Sequence, residues 1–243
     1  MWQSFSHFSS WMTWGAWGAF LAMIVFVASA LMATRPVGNW LNEKWKWYTP
    51  ENSLKLRRGF AYAGIVLGAF VAVYTGMLLM SGGGVPLWNT LLLPLLFTVS
   101  AFDTGVALVE VIAVILAKKD PLAPKAATLM ERLVIGLVVA ELLVLAIYLG
   151  SMFAGGTTAA ESASMLVSGG LAVPFWILIV VIGLVLPGVM AIAGMVLKRE
   201  DNRPIMAVGA VGALIGGCEL RFLILAAGIH AAIVADTVMG LLL

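Results

Sequence analysis

The sequence predicts an all-α integral membrane protein, a bundle of about six transmembrane helices, on three observations. Charged side chains make up only 11% of the 243 residues while 62% are hydrophobic, whereas a soluble domain carries about 25% charged residues. The apolar runs are about 20 residues or longer, enough to cross a ~30 Å hydrocarbon core as helices. They also lack the period-two alternation of barrel strands, and only helices or closed barrels satisfy their backbone in lipid. The single cysteine, Cys218, lies inside one of these runs. That leaves no disulfide framework, no paired-cysteine metal motif and no ligand set for an iron–sulfur cluster on this chain. Neither a metal nor a nucleic acid is expected as a ligand.

Residues 1–10 are polar and aromatic, without a basic leader or a small-residue cleavage site, so no signal peptide is expected. The first span runs over about 12–33, with Trp11, Trp14 and Trp17 in its first turns as an interfacial belt. Residues 34–58 mix Arg35, Lys44, Lys46, Lys55, Arg57 and Arg58 with Trp40, Trp45, Trp47 and Tyr48, a composition suited to the lipid headgroup layer. The second span covers about 59–80, and the tight turn Ser81-Gly82-Gly83-Gly84-Val85-Pro86 leads to a third over about 88–117. A fourth covers about 132–153. Residues 154–170 are small and polar without a basic side chain, and the fifth span follows over about 171–197, with Pro174 and Pro187 as expected kink sites. The sixth runs from about 205 to 235. The whole chain reads as a single transmembrane domain.

Charge sets the orientation. Of the 14 Lys and Arg residues, all but Arg221 fall in or at the edges of the loops between spans one and two, three and four, and five and six. The positive-inside rule puts these loops in the cytoplasm. Both termini and the glycine-rich turn are then expected outside, and Tyr74 near the outer surface.

Asp103, Glu110, Glu141, Glu219 and Arg221 lie within spans. A charge at the bilayer centre costs at least ~2.5–3.5 kcal/mol, so these groups are expected to face the bundle interior. Asp103 and Glu110 are seven apart and share one helix face. Glu219 and Arg221 are two apart and cannot pair directly. Arg221 is therefore expected to pair with a carboxylate of another helix, Asp103 by depth. Together the five groups form either a proton path from the cytoplasm or a set of buried ion pairs that fix helix register. Haem is not expected, since His7 precedes the first span and His230 lies at the outer end of the last.

Three segments carry a resemblance. YTGMLLMSGGGVPLWNTLLLPLLFTVSAFDTG, from Tyr74 to Gly105, resembles the central signature of the NrfD/polysulfide reductase membrane-subunit (PsrC-like) family. In that family a Y-x-G near a helix end leads through a short turn into P-x-W-N and a proline-containing helix. SWMTWGAWGAF at 10–20 is similar to a helix that begins with WGAW, and ELRFLILAAG at 219–228 to the family's last helix. The WGAW helix is usually the third, so the two preceding helices, which offer an Asn and a His toward quinone, have no expected counterpart here.

The resemblance implies a haem-free membrane anchor that binds menaquinone or ubiquinone. Such an anchor exchanges electrons with an iron–sulfur subunit on the outer face and, through it, with a molybdopterin catalytic subunit. It also implies a prokaryotic cytoplasmic (inner) membrane and a quinone site at Tyr74, with Trp88 and Asn89 at its mouth. A phenol suits that task because it both donates and accepts a hydrogen bond. The alternatives are a small proton- or ion-coupled transporter using the buried carboxylates, which predicts an inverted repeat that the sequence does not display, and a structural anchor without a quinone site.

Overall fold

The computed structural model describes residues 11–45, 49–117, 123–197 and 203–230, and every regular element among them is helical. Six helical stretches are long and apolar enough to cross a membrane. The predicted all-helical class is what the structure has. The helices fall into two units, Met1–Leu78 and Leu79–Leu243.

The first unit contains α1 (Trp11–Ala33), α2 (Arg35–Lys44) and nearly all of α3 (Pro50–Met80). α2 lies in the predicted headgroup segment. It starts with a proline in its first turn, where the missing N–H costs no hydrogen bond, and Lys44 Nζ sits 5.0 Å from the centroid of the Trp40 ring. α3 is longer than the predicted second span because its charged start is helical too, helped by an exposed Glu51–Lys55 pair at 2.8 Å. α1 and α3 meet through aromatic rings laid on glycines. The Tyr74 ring occupies the place where Gly15 would carry a Cβ, Phe70 does the same at Gly18, and Phe26 lies against Gly64.

The second unit holds α4 (Leu92–Leu116), α5 (Pro124–Phe153), α6 (Thr157–Val167), and a composite fifth span. That span is built of α7 (Ala172–Pro174), a wide π-helical run Phe175–Val185, and α8 (Leu186–Leu197), and is followed by α9 (Arg203–Ala226). The wide run lies between Pro174 and Pro187, the two expected kink sites. A proline lacks the N–H of a regular helix, and a local π adjustment is one way for lipid-buried backbone to stay satisfied. α6 falls in the stretch expected as a small polar loop. Its Ser162 is buried and accepts a hydrogen bond from the Ile229 amide at 3.3 Å.

Glycines let α9 lie close to its neighbours. Gly216 meets the backbone of Gly183 in the π-helical run, Gly212 meets the Ile182 carbonyl, and Gly217 faces the Thr104 methyl of α4. Small residues at such contacts substitute for the hydrophobic drive that lipid removes.

The end of this unit at the glycine-rich turn is closed by side chains that tie turn to helix. The Tyr148 hydroxyl, fully buried, donates to the Leu87 carbonyl at 2.7 Å. The Trp88 indole N–H donates to the Ile224 carbonyl at 3.0 Å, and Trp176 donates to Val167 at 2.9 Å. Val85, Leu87, Leu93 and Leu96 pack beneath them with Phe175 and Leu223.

Candidate functional site

Two helix faces build the polar interior of the second unit. On α4 the buried positions include Leu93, Leu96, Ser100, Asp103, Ala107 and Glu110. On α5 they are Glu131, Val134, Val138, Glu141, Leu145, Tyr148 and Met152. Both sets step by three and four, the spacing that keeps a stripe on one helix face. α4 and α5 therefore carry acidic groups into a shared interior. Asp103 is 2% exposed, Glu141 3%, and Glu110 and Glu131 5% each.

The acidic groups follow one another along the membrane normal. At 1.5 Å per residue, Glu110 and Glu131 lie about 10 Å from the ends of their helices nearest the basic loop, Asp103 about 20 Å and Glu141 about 25 Å. Glu110 is within electrostatic reach of both Asp103 and Glu131, and Glu141 is within reach of Asp103 and Arg221. Ser100 Oγ lies beside the Glu141 carboxyl without meeting hydrogen-bond geometry. Asp103 Oδ1 is buried and has no hydrogen-bond partner among the described residues.

Arg221 corrects the expected pairing. It donates to the Gly217 carbonyl at 2.6 Å and to the Phe97 carbonyl at 3.5 Å, and its guanidinium lies 5.6 Å from the Phe97 ring centroid. Among the described residues no carboxylate oxygen lies within ion-pair distance of it. Gly217 stands opposite Thr104, so on antiparallel helices Arg221, four residues further along, comes level with Ser100 between Phe97 and Asp103, and its guanidinium turns to Phe97. Carbonyl dipoles and an aromatic face take the place of the carboxylate.

The other predicted residues are placed as follows. Glu219 is half-buried and lies off the stripe of Gly216, Gly217, Leu220 and Leu223 that faces the interior. In the first unit Tyr74 is half-buried over Gly15, and its hydroxyl has no hydrogen bond among the described residues. Trp88 is held by Ile224, with its ring against Gly228. Asn89 is exposed. His230 is exposed beside Gly84, and His7 lies outside the described residues.

Two residues of this interior were not singled out from sequence. Glu131 precedes Arg132 at the cytoplasmic edge of a span and reads as a flanking charge. Tyr148 reads as one more belt aromatic. The three-four spacing that links both to Glu141 is the signal that finds them.

The family described as "Polysulphide reductase, NrfD" matches residues 2–233. The chain belongs to this NrfD family. The C subunit of polysulfide reductase from Wolinella succinogenes is 31% identical over 163 residues, covering 67% of this chain and 51% of that protein. The NrfD homolog of Haemophilus influenzae is 32% identical over 168 residues, covering 67% and 50%. Protein NrfD of Escherichia coli is 28% identical over 178 residues, covering 71% and 54%. The chain thus spans about half the length of the curated relatives it matches. With its six apolar helices, this NrfD-family chain is a multi-pass membrane protein.

Proposed function

We propose that this chain is the quinone-interacting membrane subunit of a respiratory oxidoreductase of the prokaryotic cytoplasmic membrane. In this reading it passes electrons between menaquinone or ubiquinone and an iron–sulfur partner on the outer face, and a molybdopterin subunit lies beyond that partner. The observation that carries the reading is Tyr74. Its phenol is half-buried, stacked on Gly15, and free of hydrogen bonds among the described residues, in a chain whose family includes a polysulfide reductase subunit.

A quinone supplies coupled electron and proton carriage when bound. The residues fit this group unequally. Tyr74 Oη can donate to a carbonyl oxygen or accept from a hydroxyl. Asn89 offers an exposed amide that makes no side-chain hydrogen bond among the described residues. Trp88 has already given its N–H to Ile224, so it contributes an aromatic surface and not a donor. Gly15 sets the tilt of the Tyr74 ring, because any side chain there would displace it.

The test is affinity purification from the chain's own membranes, with partner mass spectrometry, iron analysis and quinol oxidation. The reading predicts co-purifying iron-bearing subunits and quinol-dependent reduction of their clusters. A lone chain without an iron-bearing partner contradicts it. That result would favour the second reading, an ion- or proton-coupled transporter, which draws on the buried carboxylates Asp103, Glu110 and Glu141.

A further inference from the structure

α2 is set apart from the spans by a break in the chain and by composition. Thr34, between α1 and α2, is extended (φ −79°, ψ 138°), so α2 is a helix of its own and not the tail of the first span. Its ten residues include Asn39, Asn42, Glu43 and Lys44, too polar for hydrocarbon, and Val37, Trp40 and Leu41, too apolar for open water. That mixture suits a helix lying in the headgroup layer.

The faces of α2 sort by spacing. Val37, Gly38 and Leu41 are half-buried, and a Cβ on Gly38 would lie 4.0 Å from the Met32 carbonyl oxygen in the last turn of α1. Asn39 and Glu43, four apart, share the opposite, exposed face. Trp40 and Lys44, also four apart, flank the half-buried stripe. Both are exposed, and Lys44 Nζ lies 5.0 Å from the centroid of the Trp40 ring. A tryptophan ring favours the headgroup level, so the ring beneath Lys44 holds the ammonium at the depth of the lipid phosphates. An ammonium over a ring face keeps N–H donors for phosphate oxygens.

Charge selects the sign of the lipid. Residues 34–58 carry six cations and two acids, an excess of four positive charges. Of the acids, Glu51 is taken by Lys55 at 2.8 Å, and Glu43 lies on the face of α2 away from the half-buried stripe. Five residues join α2 to α3, which keeps the start of α3, with Arg57 and Arg58 exposed, at the same membrane face. Trp45 and Trp40, 60% and 55% exposed, add apolar surface that a soluble anion would not use.

We propose that α2, with Arg57 and Arg58 of α3, is a binding surface for anionic phospholipids, with the Trp40–Lys44 pair at its centre. The lipid phosphate meets the cations and the upper acyl chain meets the tryptophan rings. Lipid bound there stays with the protein in detergent and stabilises it by mass action. The inference rests neither on quinone binding nor on the buried carboxylates.

The test is native mass spectrometry of the chain, with its partners, purified from native membranes, delipidated in detergent and incubated with equal amounts of phosphatidylglycerol and phosphatidylcholine. The wild-type protein is expected to retain phosphatidylglycerol with about tenfold preference or more. Lys44→Gln is expected to lower that preference about fivefold, the loss of one cation at an anionic surface. Lys44→Gln combined with Arg57→Gln and Arg58→Gln is expected to abolish it, and Glu43→Gln to raise it. If a variant fails to fold, the wild-type protein decides the matter: raising the salt from about 0.1 M to about 1 M shortens the screening length from ~10 Å to ~3 Å and is expected to weaken the preference. Equal retention of the two lipids by the wild type, a preference unchanged in the triple variant, or one indifferent to salt overturns the inference. So does displacement of phosphatidylglycerol by inorganic phosphate at equal concentration, which would indicate a site for a soluble anion. Cross-linking of Lys44 to an acidic partner subunit without any lipid preference would overturn it in favour of a protein interface.

Discussion

Arg221 spends its guanidinium on the carbonyls of Gly217 and Phe97 and on the Phe97 ring, not on Asp103. The one cation inside the sixth span is therefore not an ion-pair partner of Asp103. Arg221→Lys keeps the charge but loses the planar fork and the ring contact. We expect it to lower stability by about 1–2 kcal/mol, read as an earlier unfolding midpoint in detergent.

Tyr148→Phe removes the donor to the Leu87 carbonyl in a site with no access to water. Leaving a buried acceptor unpaired costs about 1–3 kcal/mol. The unfolding midpoint should fall by several degrees, with the fold intact by circular dichroism.

Trp88→Phe separates a structural from a binding role. The indole N–H holds Ile224 at the end of α9, so the variant should lose about 1 kcal/mol of stability while its affinity for quinol stays as in the wild type. A large loss of affinity with unchanged stability would show that Trp88 gives the quinone site more than an aromatic surface.

Gly216→Val puts a branched side chain where the Gly183 backbone lies. Overpacking costs about 1–3 kcal/mol or more, and here the contact is backbone to backbone, which has little room to yield. Folded protein in the membrane should drop sharply, measured by fluorescence-detected size exclusion. Gly68→Ala, which meets only the far edge of Phe26, should behave as wild type.

The architecture was legible because hydropathy has a long period and a large signal. Six apolar helices, from Met12–Ala33 through Ile205–Ala226, stand where the apolar runs were read, but the sixth ends at Ala226, short of the expected 235. Helix ends were less legible. α5 begins at Pro124, not near 132, because proline is well suited to a first turn and the basic segment before the apolar run is helical. The interior was half legible. Composition and depth expose a buried charge such as Asp103, but they do not give the rotation of one helix against another. That rotation is decided by Gly217 against Thr104 and Gly216 against Gly183. Glu131 was hidden by its basic neighbour, and only its place on the stripe with Val134, Val138 and Glu141 reveals it.

The most direct measurement is a binding titration of a fluorescent quinol analogue (heptyl-hydroxyquinoline N-oxide) against the complex purified from native membranes, wild type beside Tyr74→Phe. The variant keeps the ring on Gly15 and removes only the hydroxyl. Saturable binding by the wild type, weakened by about 5- to 150-fold in Tyr74→Phe at unchanged stability, is what a lost hydrogen bond of about 1–3 kcal/mol predicts. No saturable binding, or equal affinity in the two proteins, would contradict a quinone site at Tyr74.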